Sequence, residues 1–461
     1  MQARALPVEE SLCRNFRDNI LIVDQRGLFT VKYKGQPLYH HMDAKDNEKI
    51  LEQAKSVKAN SLFLANTTTR QRNQVLSLLK EEILRNKERI ADVNRKDIAL
   101  AKEAGRTAAY LDRLALSEKR ILRMAESLSA VESLPDPLNK ILWETRRPNG
   151  LLLQKVSVPI GVIAIIYESR PDVTIESASL CLKSGNAVIL KGGSDSLSTN
   201  AFLIELMHKA LKEAGIPEEV VALITSREHS AVDYLLSLFD CINLVIPRGG
   251  ESLIELVVAK SKIPVIKHYK GVCHTYVDNA ANLEMAWEVT LNAKTQRPGT
   301  CNATETLLVH QDIAEEFLPE MARRLKEKGV EIRGCPETRK IVPEVVPARE
   351  KDWGFEFLDL VIAIRVVGSL EEAIAWVNRY GTGHSEAIIT EDKEAASRFL
   401  REVDAAAVYH NASTRFTDGF EFGLGAEIGI STDKIHARGP MGLDELTSYK
   451  YLIYGNGQLR K

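Results

Sequence analysis

The sequence predicts an α/β fold in which parallel sheets are wound on both faces by helices. Three observations predict it. Ile160 to Ile166 is a nearly unbroken apolar run, as a parallel strand buried on both faces requires. Strand-like and helix-like segments alternate through most of the remaining chain. Three strand ends run into loops rich in glycine and charge, where open parallel sheets bind ligands.

Residues 1–45 stand apart. Asn19 to Asp24 and Leu28 to Tyr33 read as two short strands around Gln25-Arg26-Gly27. His40-His41 reads as a solvated loop pair, because no third metal ligand is near in sequence. From about residue 46 the chain turns helical. Leu76, Leu79, Ile83 and Ile90 recur at helical spacing among charged residues, and Gly105 is a stop. Ile141 to Thr145 and Leu151 to Val156 flank Pro148-Asn149-Gly150, whose Asn-Gly supplies the positive φ of a tight hairpin. This hairpin is apolar on both faces, so part of it is expected to cover a partner subunit. Further strands are expected at Ala187 to Leu190, Val220 to Ile224 and Ile242 to Ile246. Helices follow the first and third of these, around Phe202 to Leu211 and Leu253 to Val258. A second α/β unit has strands at Thr304 to Val309 and Leu360 to Val367, and helices at Ile313 to Leu325 and Leu370 to Val377. Tyr449 to Tyr454 is strand-like.

Composition narrows the function. The chain has 461 residues, 44% of them hydrophobic, enough for more than one core. It carries 61 basic and 63 acidic residues without a charge block, which argues against a nucleic-acid partner. No apolar run approaches the length of a membrane span, and MQARALPVEESLCRNF lacks the apolar core of a secretory signal. A cytoplasmic location is expected. Six cysteines without a CxxC pair point to free thiols rather than zinc, and no metal is expected. Cys181 and Cys241, set among apolar neighbours, read as small buried hydrophobes.

The ligand loops follow Ile166, Leu190 and Ile246. They read Tyr167-Glu168-Ser169-Arg170-Pro171, Lys191-Gly192-Gly193-Ser194 and Pro247-Arg248-Gly249-Gly250. One such loop is an ordinary glycine turn; three on one sheet point to a nucleotide site. The GxGxxG fingerprint is absent, since Gly423-Leu424-Gly425 follows no strand and lacks the spacing. Cys301 differs from the other thiols. It lies in the polar stretch Lys294-Thr295-Gln296-Arg297-Pro298-Gly299-Thr300-Cys301-Asn302, read as an exposed loop in which Arg297 and Lys294 favour the thiolate.

The strings VPIGVIAIIYESRPDV, SGNAVILKGG, IPRGG, NAKTQRPGTCNATETLLVH, NASTRFTDGFEFGLGAE and HARGPMGL, in this order, resemble the γ-glutamyl phosphate reductase family, a branch of the aldehyde dehydrogenase superfamily. The resemblance runs from about residue 46 to 461. In some members this region is fused behind a glutamate 5-kinase, but residues 1–45 match no kinase segment.

The resemblance implies an aldehyde-dehydrogenase-like fold of two doubly wound parallel-sheet domains with an oligomerisation hairpin. The implied division is an N-terminal extension over 1–45, a cofactor-binding domain over 46–272 with the hairpin at 141–158, a catalytic domain over 273–425, and a C-terminal return over 426–461. Cys301 matches the nucleophile. Lys191 matches the lysine on the adenosine ribose or its 2′-phosphate, followed by Gly192, Gly193 and Ser194. Arg248, Gly249 and Gly250 fall at the pyrophosphate turn. Glu356 matches the glutamate of the nicotinamide ribose, with Asp359 as competitor.

Two departures concern chemistry. Oxidising relatives keep a water-activating glutamate before a Gly-Gly pair, and here Ile266-Lys267-His268-Tyr269-Lys270-Gly271 has none. They also keep an asparagine for the oxyanion, a position that falls at Arg170 here. Both suit a thioester cleaved by hydride or phosphate rather than water. Ser194, near the place of a ribose-binding glutamate, leans toward NADPH. The implied reaction reduces L-glutamyl 5-phosphate to glutamate 5-semialdehyde through a Cys301 thioester, with Asn302 or Arg170 at the oxyanion. For the substrate's charged groups the candidates are Glu168, Arg297, Thr414, Arg415 and Arg438, because arginine meets carboxylate and phosphate with two bonds at once. His384 and His436 read as loop or interface residues. A homo-oligomer is expected, with a glutamate 5-kinase as a further partner. The rival readings are a hydrolytic aldehyde dehydrogenase and a catalytically silent cofactor-binding scaffold.

Overall fold

The structure, a computed structural model, describes residues 19–23, 29–33, 36–37, 44–267 and 270–460. His40-His41, Gln25-Arg26-Gly27 and Cys13 lie outside them. Strands β1 (Asn19–Val23) and β2 (Phe29–Tyr33) pair antiparallel, and β3 (Gln36–Pro37) adds to β2. The two expected strands of this segment are therefore present.

Five helices follow: α1 (Ala44–Ala65), α2 (Thr69–Arg85), α3 (Lys87–Glu103), α4 (Ala108–Leu114) and α5 (Glu118–Ser133). Helix α2 starts on a capping box in which Thr68 and Gln71 exchange bonds, and its apolar stripe buries Leu76, Leu79 and Ile83. After α3, Gly105 takes φ +76°, the left-handed turn that stops a helix. Strands β4 (Ile141–Arg146) and β5 (Leu152–Pro159) form the expected hairpin, with Gly150 at φ +87° in its turn.

The first parallel sheet is β6 (Val162–Tyr167), β7 (Ala187–Lys191), β8 (Val221–Leu223) and β9 (Leu244–Arg248), in the order β8-β7-β6-β9. Every residue of β6 and β7 is buried. Helices α6 (Pro171–Lys183), α7 (Leu197–Glu213), α8 (Ser230–Leu235) and α9 (Glu251–Lys260) cover it. The second sheet, all parallel, uses β10 (Cys273–Val277), β11 (Thr304–His310), β12 (Glu331–Gly334), β13 (Val346–Pro347), β14 (Val361–Val367), β15 (Ser385–Ile389) and β16 (Ala407–His410). Its order is β13-β12-β14-β11-β10-β15-β16. Helices α10 (Leu283–Thr295), α11 (Gln311–Glu327), α12 (Pro336–Ile341), α13 (Leu370–Tyr380) and α14 (Lys393–Glu402) flank these strands.

The chain then returns. After the short pair β17 (Ile430–Ser431) and β18 (Gly439–Pro440), strand β19 (Thr447–Tyr454) adds antiparallel to β5, from Thr447 opposite Pro159 to Tyr454 opposite Leu152. Ala426, Ile428, Ala437, Met441, Leu443 and Leu446 join the core of the first sheet. The three-stranded sheet β19-β5-β4 leaves Ile141, Leu142, Trp143, Tyr451 and Ile453 exposed. No helix among the described residues is long and apolar enough to cross a membrane.

Candidate active site

Cys301 lies in the turn that joins α10 to β11, and it is half-buried rather than exposed as its polar context predicts. The turn is pinned at both ends. Lys294 on α10 and Glu305 on β11 form a fully buried ion pair at 2.6 Å, and Glu305 also accepts the Leu358 N–H at 3.2 Å. Lys294 is thereby committed to Glu305 and is not the cation that favours the thiolate. Next to the nucleophile, Asn302 donates from Nδ2 to the Thr417 carbonyl at 2.8 Å, and Thr414 donates from Oγ1 to the Asn302 carbonyl at 2.7 Å. Both side chains are buried. The expected roles of Asn302 at an oxyanion and Thr414 on substrate give way to anchoring the turn, because their polar atoms are already bonded to backbone. Buried Cys273 adds a further hold, its thiol donating to the Cys301 carbonyl at 3.1 Å. Gly271 passes so close that a Cβ there would come within 1.7 Å of the same carbonyl oxygen.

Burial pushes the Cys301 thiol up to about 12, and the carboxylates of Glu356 and Glu427 add to this. The opposing cation is Arg248, at the end of β9. Glu356 is itself raised by burial, and its Oε1 accepts the Gly271 N–H at 2.8 Å. Asp359, its competitor in the sequence, instead accepts the neighbouring Leu360 N–H at 2.7 Å. Burial holds the Glu427 carboxyl at about 7, where the Gly419 N–H bonds it.

One further guanidinium accompanies the thiol. Arg415 donates from Nε to Gln296 at 2.9 Å, and its pKa is lowered by burial and by the like charge of Arg297, while Cys301 acts on it in the opposite sense. Arg170, at the N-cap of α6, is exposed; partial desolvation and then the like charge of Arg248 lower its pKa. Arg438 does not join them. Its guanidinium pairs with Asp404 at 2.7 Å, so a structural ion pair replaces the expected anion contact. His384 is buried against Ser385 at 2.8 Å, and His436 bonds the Glu445 carbonyl at 2.7 Å, so neither faces Cys301 as an acid or base.

The ligand loops converge at the carboxyl edge of the first sheet. Lys191 is buried, its ammonium bonded to the Gly192 carbonyl at 3.0 Å, and burial lowers its pKa. A buried ammonium that among the described residues meets only one carbonyl fits an anionic ligand group. Gly193 and the exposed Ser194 follow, and a Cβ on Gly193 would strike Ser169 Oγ at 2.3 Å. At the start of α9, Glu168 accepts the Gly250 N–H at 3.0 Å, and a Cβ on Gly249 would lie 2.8 Å from its side chain. The structure thus bonds Glu168 to the backbone of the phosphate-type loop, where a contact with the substrate's ammonium was expected. These residues fit a nicotinamide dinucleotide: a buried cation, backbone N–H groups at a helix start, and a carboxylate, Glu356, beside the thiol.

The sequence profile of the aldehyde dehydrogenase family matches residues 34–338 and 356–451. The chain belongs to that family. Within it, the chain is 54% identical to the γ-glutamyl phosphate reductase of Carboxydothermus hydrogenoformans, over 90% of this chain and 100% of the relative. It is 52% identical to that of Dictyoglomus thermophilum, over 90% and 100%. The crystal structure of γ-glutamyl phosphate reductase from Thermotoga maritima superposes with a TM-score of 0.88 at 49% identity, covering 89% of this chain and 100% of that one. A more distant aldehyde dehydrogenase, glyceraldehyde-3-phosphate dehydrogenase from Methanocaldococcus jannaschii complexed with NADP, shares the fold at a TM-score of 0.62 and 17% identity. The family binds NAD or NADP. The match begins at residue 34, some way before the expected start near 46.

Sequence reasoning missed several residues of this aldehyde dehydrogenase site. Gly271 and Cys273 carry no motif, and Glu427 closes the string NASTRFTDGFEFGLGAE without a role assigned to it. Gly271 ends the very stretch in which the hydrolytic glutamate is absent, and its value lies in the space its missing side chain leaves for Cys301.

Proposed function

We propose that the protein reduces L-glutamyl 5-phosphate to L-glutamate 5-semialdehyde with NADPH and releases phosphate, the second step of proline biosynthesis from glutamate. The relatives' names support the substrate. The observation that carries the reading is Cys301 set among Arg248, Arg297 and Arg415, with no glutamate in 266–271 to activate water.

In this reading the Cys301 thiolate attacks the γ-carbonyl carbon, and phosphate leaves with the bonding electrons. Arg297 and Arg415 hold the departing phosphate. A bound NADPH supplies the hydride that reduces the thioester. Backbone N–H groups of the pinned turn and the guanidinium of Arg170 steady the oxyanion. Its collapse frees the aldehyde and returns the electron pair to Cys301. Lys191, Gly192, Gly193 and Ser194 hold the ribose with its 2′-phosphate, Gly249 and Gly250 the pyrophosphate, and Glu356 the nicotinamide ribose. Residues 46–272 with 426–461 form the cofactor unit, and 273–425 the catalytic unit. The exposed apolar strands of the β19-β5-β4 sheet receive a second copy of the chain, and a glutamate 5-kinase supplies the acyl phosphate.

The test is the reverse reaction. Semialdehyde with NADP+ gives NADPH only when phosphate is added, and Cys301→Ala gives none. Equal rates of glutamate formation without phosphate overturn the reading in favour of a hydrolytic dehydrogenase.

A further inference from the structure

Helix α6 is buried on every side but one. Among its residues only Asp172 and Glu176 are not buried, and they lie one turn apart on one face. The helix starts at the carboxyl end of β6, where Tyr167 is the register partner of Arg248 on β9. The Arg248 guanidinium rests on Gly429, where a Cβ would come within 2.6 Å of Nη1. Two residues earlier, Glu427 keeps its Oε2 buried without a hydrogen-bond partner. The Asp172 carboxylate bonds the adjacent Val173 N–H at 3.0 Å.

Among the described residues, Asp172, Glu176, Arg170 and Arg248 make no ion pair with one another or with any other group. Yet they are near enough to perturb each other. Glu176 is pushed up to about 7, by burial first and then by Asp172, against the pull of Arg248, of Arg123 on α5, and of Arg170. Charges of both signs, of which Asp172, Glu176 and Arg248 are half-buried and without an ion pair, are costly unless a ligand completes them. A ligand that completes both signs at once is a zwitterion. The same Arg248 acts on the Cys301 thiol, so this pocket adjoins the nucleophile.

We propose that the cleft between α6 and Arg248 receives the α-amino-acid head of the substrate, Asp172 and Glu176 taking its α-ammonium and Arg248 its α-carboxylate. This rests on the reading of the substrate as an L-glutamyl acyl phosphate. It leaves Arg297 and Arg415 to the phosphate. The head group then selects the substrate, and two methylenes carry its acyl carbon to Cys301.

The experiment compares two aldehydes in the oxidative direction with NADP+ and phosphate. One is L-glutamate 5-semialdehyde. The other is 5-oxopentanoate, which keeps the carboxylate and chain length but lacks the ammonium. The wild type prefers the amino aldehyde. Glu176→Gln lowers kcat/KM for the amino aldehyde about 30-fold, through KM, and leaves 5-oxopentanoate and the KM for NADP+ unchanged. Asp172→Asn acts in the same direction and serves where Glu176→Gln does not fold. Equal losses on both aldehydes, or no loss on either, overturn the assignment. A wild type that turns over neither aldehyde overturns the functional reading instead.

Discussion

Replacing Gly271 by alanine should disable the enzyme without unfolding it. The added Cβ would stand 1.7 Å from the Cys301 carbonyl oxygen, 2.5 Å from its carbonyl carbon and 2.7 Å from its Cα. An ordinary carbon–oxygen contact is roughly 1.5 Å longer than the first of these, so one backbone must yield by about that much. The Cys301 turn cannot slide freely, because Asn302, Thr414 and Cys273 hold it by three hydrogen bonds. Moving residue 271 instead breaks its N–H bond to Glu356. Either way the thiol shifts against the carboxylate assigned to the nicotinamide ribose. A 1 Å misplacement of reacting groups costs about 100-fold, and overpacking of this kind about 1–3 kcal/mol of stability. Expected, then, is a fall in kcat/KM of at least about 100-fold with a cooperative but lowered melt. The assay is phosphate-dependent reduction of NADP+ by the semialdehyde, with thermal unfolding run in parallel. A kcat/KM within about tenfold of the parent refutes the claim that this approach positions the nucleophile.

Three further outcomes are expected. The Cys301 thiol, held up at about 12, reacts through the small thiolate fraction present below its pKa, so its alkylation rises about tenfold per pH unit through the neutral range. Arg248→Ala removes the opposing cation, raises the thiol further and slows alkylation at fixed pH; a rate that levels off near neutrality, or is indifferent to Arg248, contradicts this. Lys191→Ala should raise the KM for NADPH more than that for NADH, since the lost contact is to the 2′-phosphate, and equal losses would remove that role. Lys294→Ala strands Glu305 in the core and should cost about 3–5 kcal/mol in urea unfolding, whereas joint replacement by methionine and leucine costs less. If the single and double variants are equally unstable, the pair's charges do not explain the cost.

The fold was legible where apolar pattern and burial coincide. From Val162 on, the apolar run ending at Ile166 is wholly buried in β6, and the stripe of α7 with Phe202, Leu206 and Met207 faces the core. Strand β10 escaped because Cys-His-Thr-Tyr-Val does not look like a buried strand. Its polar groups are satisfied from neighbouring strands: His274 bonds Glu386 at 3.0 Å, and Thr275 bonds Thr304 at 2.7 Å. Nothing local in the sequence announces such cross-strand bonds between residues about thirty to a hundred apart.

The site divides the same way. Cys301, Lys191 and the Gly249-Gly250 turn stand out because loop composition alone marks them. Arg438 and Thr414 looked equally polar in sequence, yet one is spent on Asp404 and the other on the Asn302 carbonyl. A side chain's partner, not its type, decides whether it remains free for a ligand, and partners are set by tertiary contacts that span from about thirty to more than a hundred residues here. Glu176 shows the converse. On a helical wheel it is, with Asp172, one of the two residues of α6 that escape burial, an apparent fault in the pattern. It makes physical sense only with the guanidiniums that act on it, Arg248 first, and the ligand ammonium proposed above, since a carboxylate one turn from another on a buried helix needs cations to justify its position. Polar residues that break a burial pattern at the carboxyl end of a parallel strand are therefore the ones to test first.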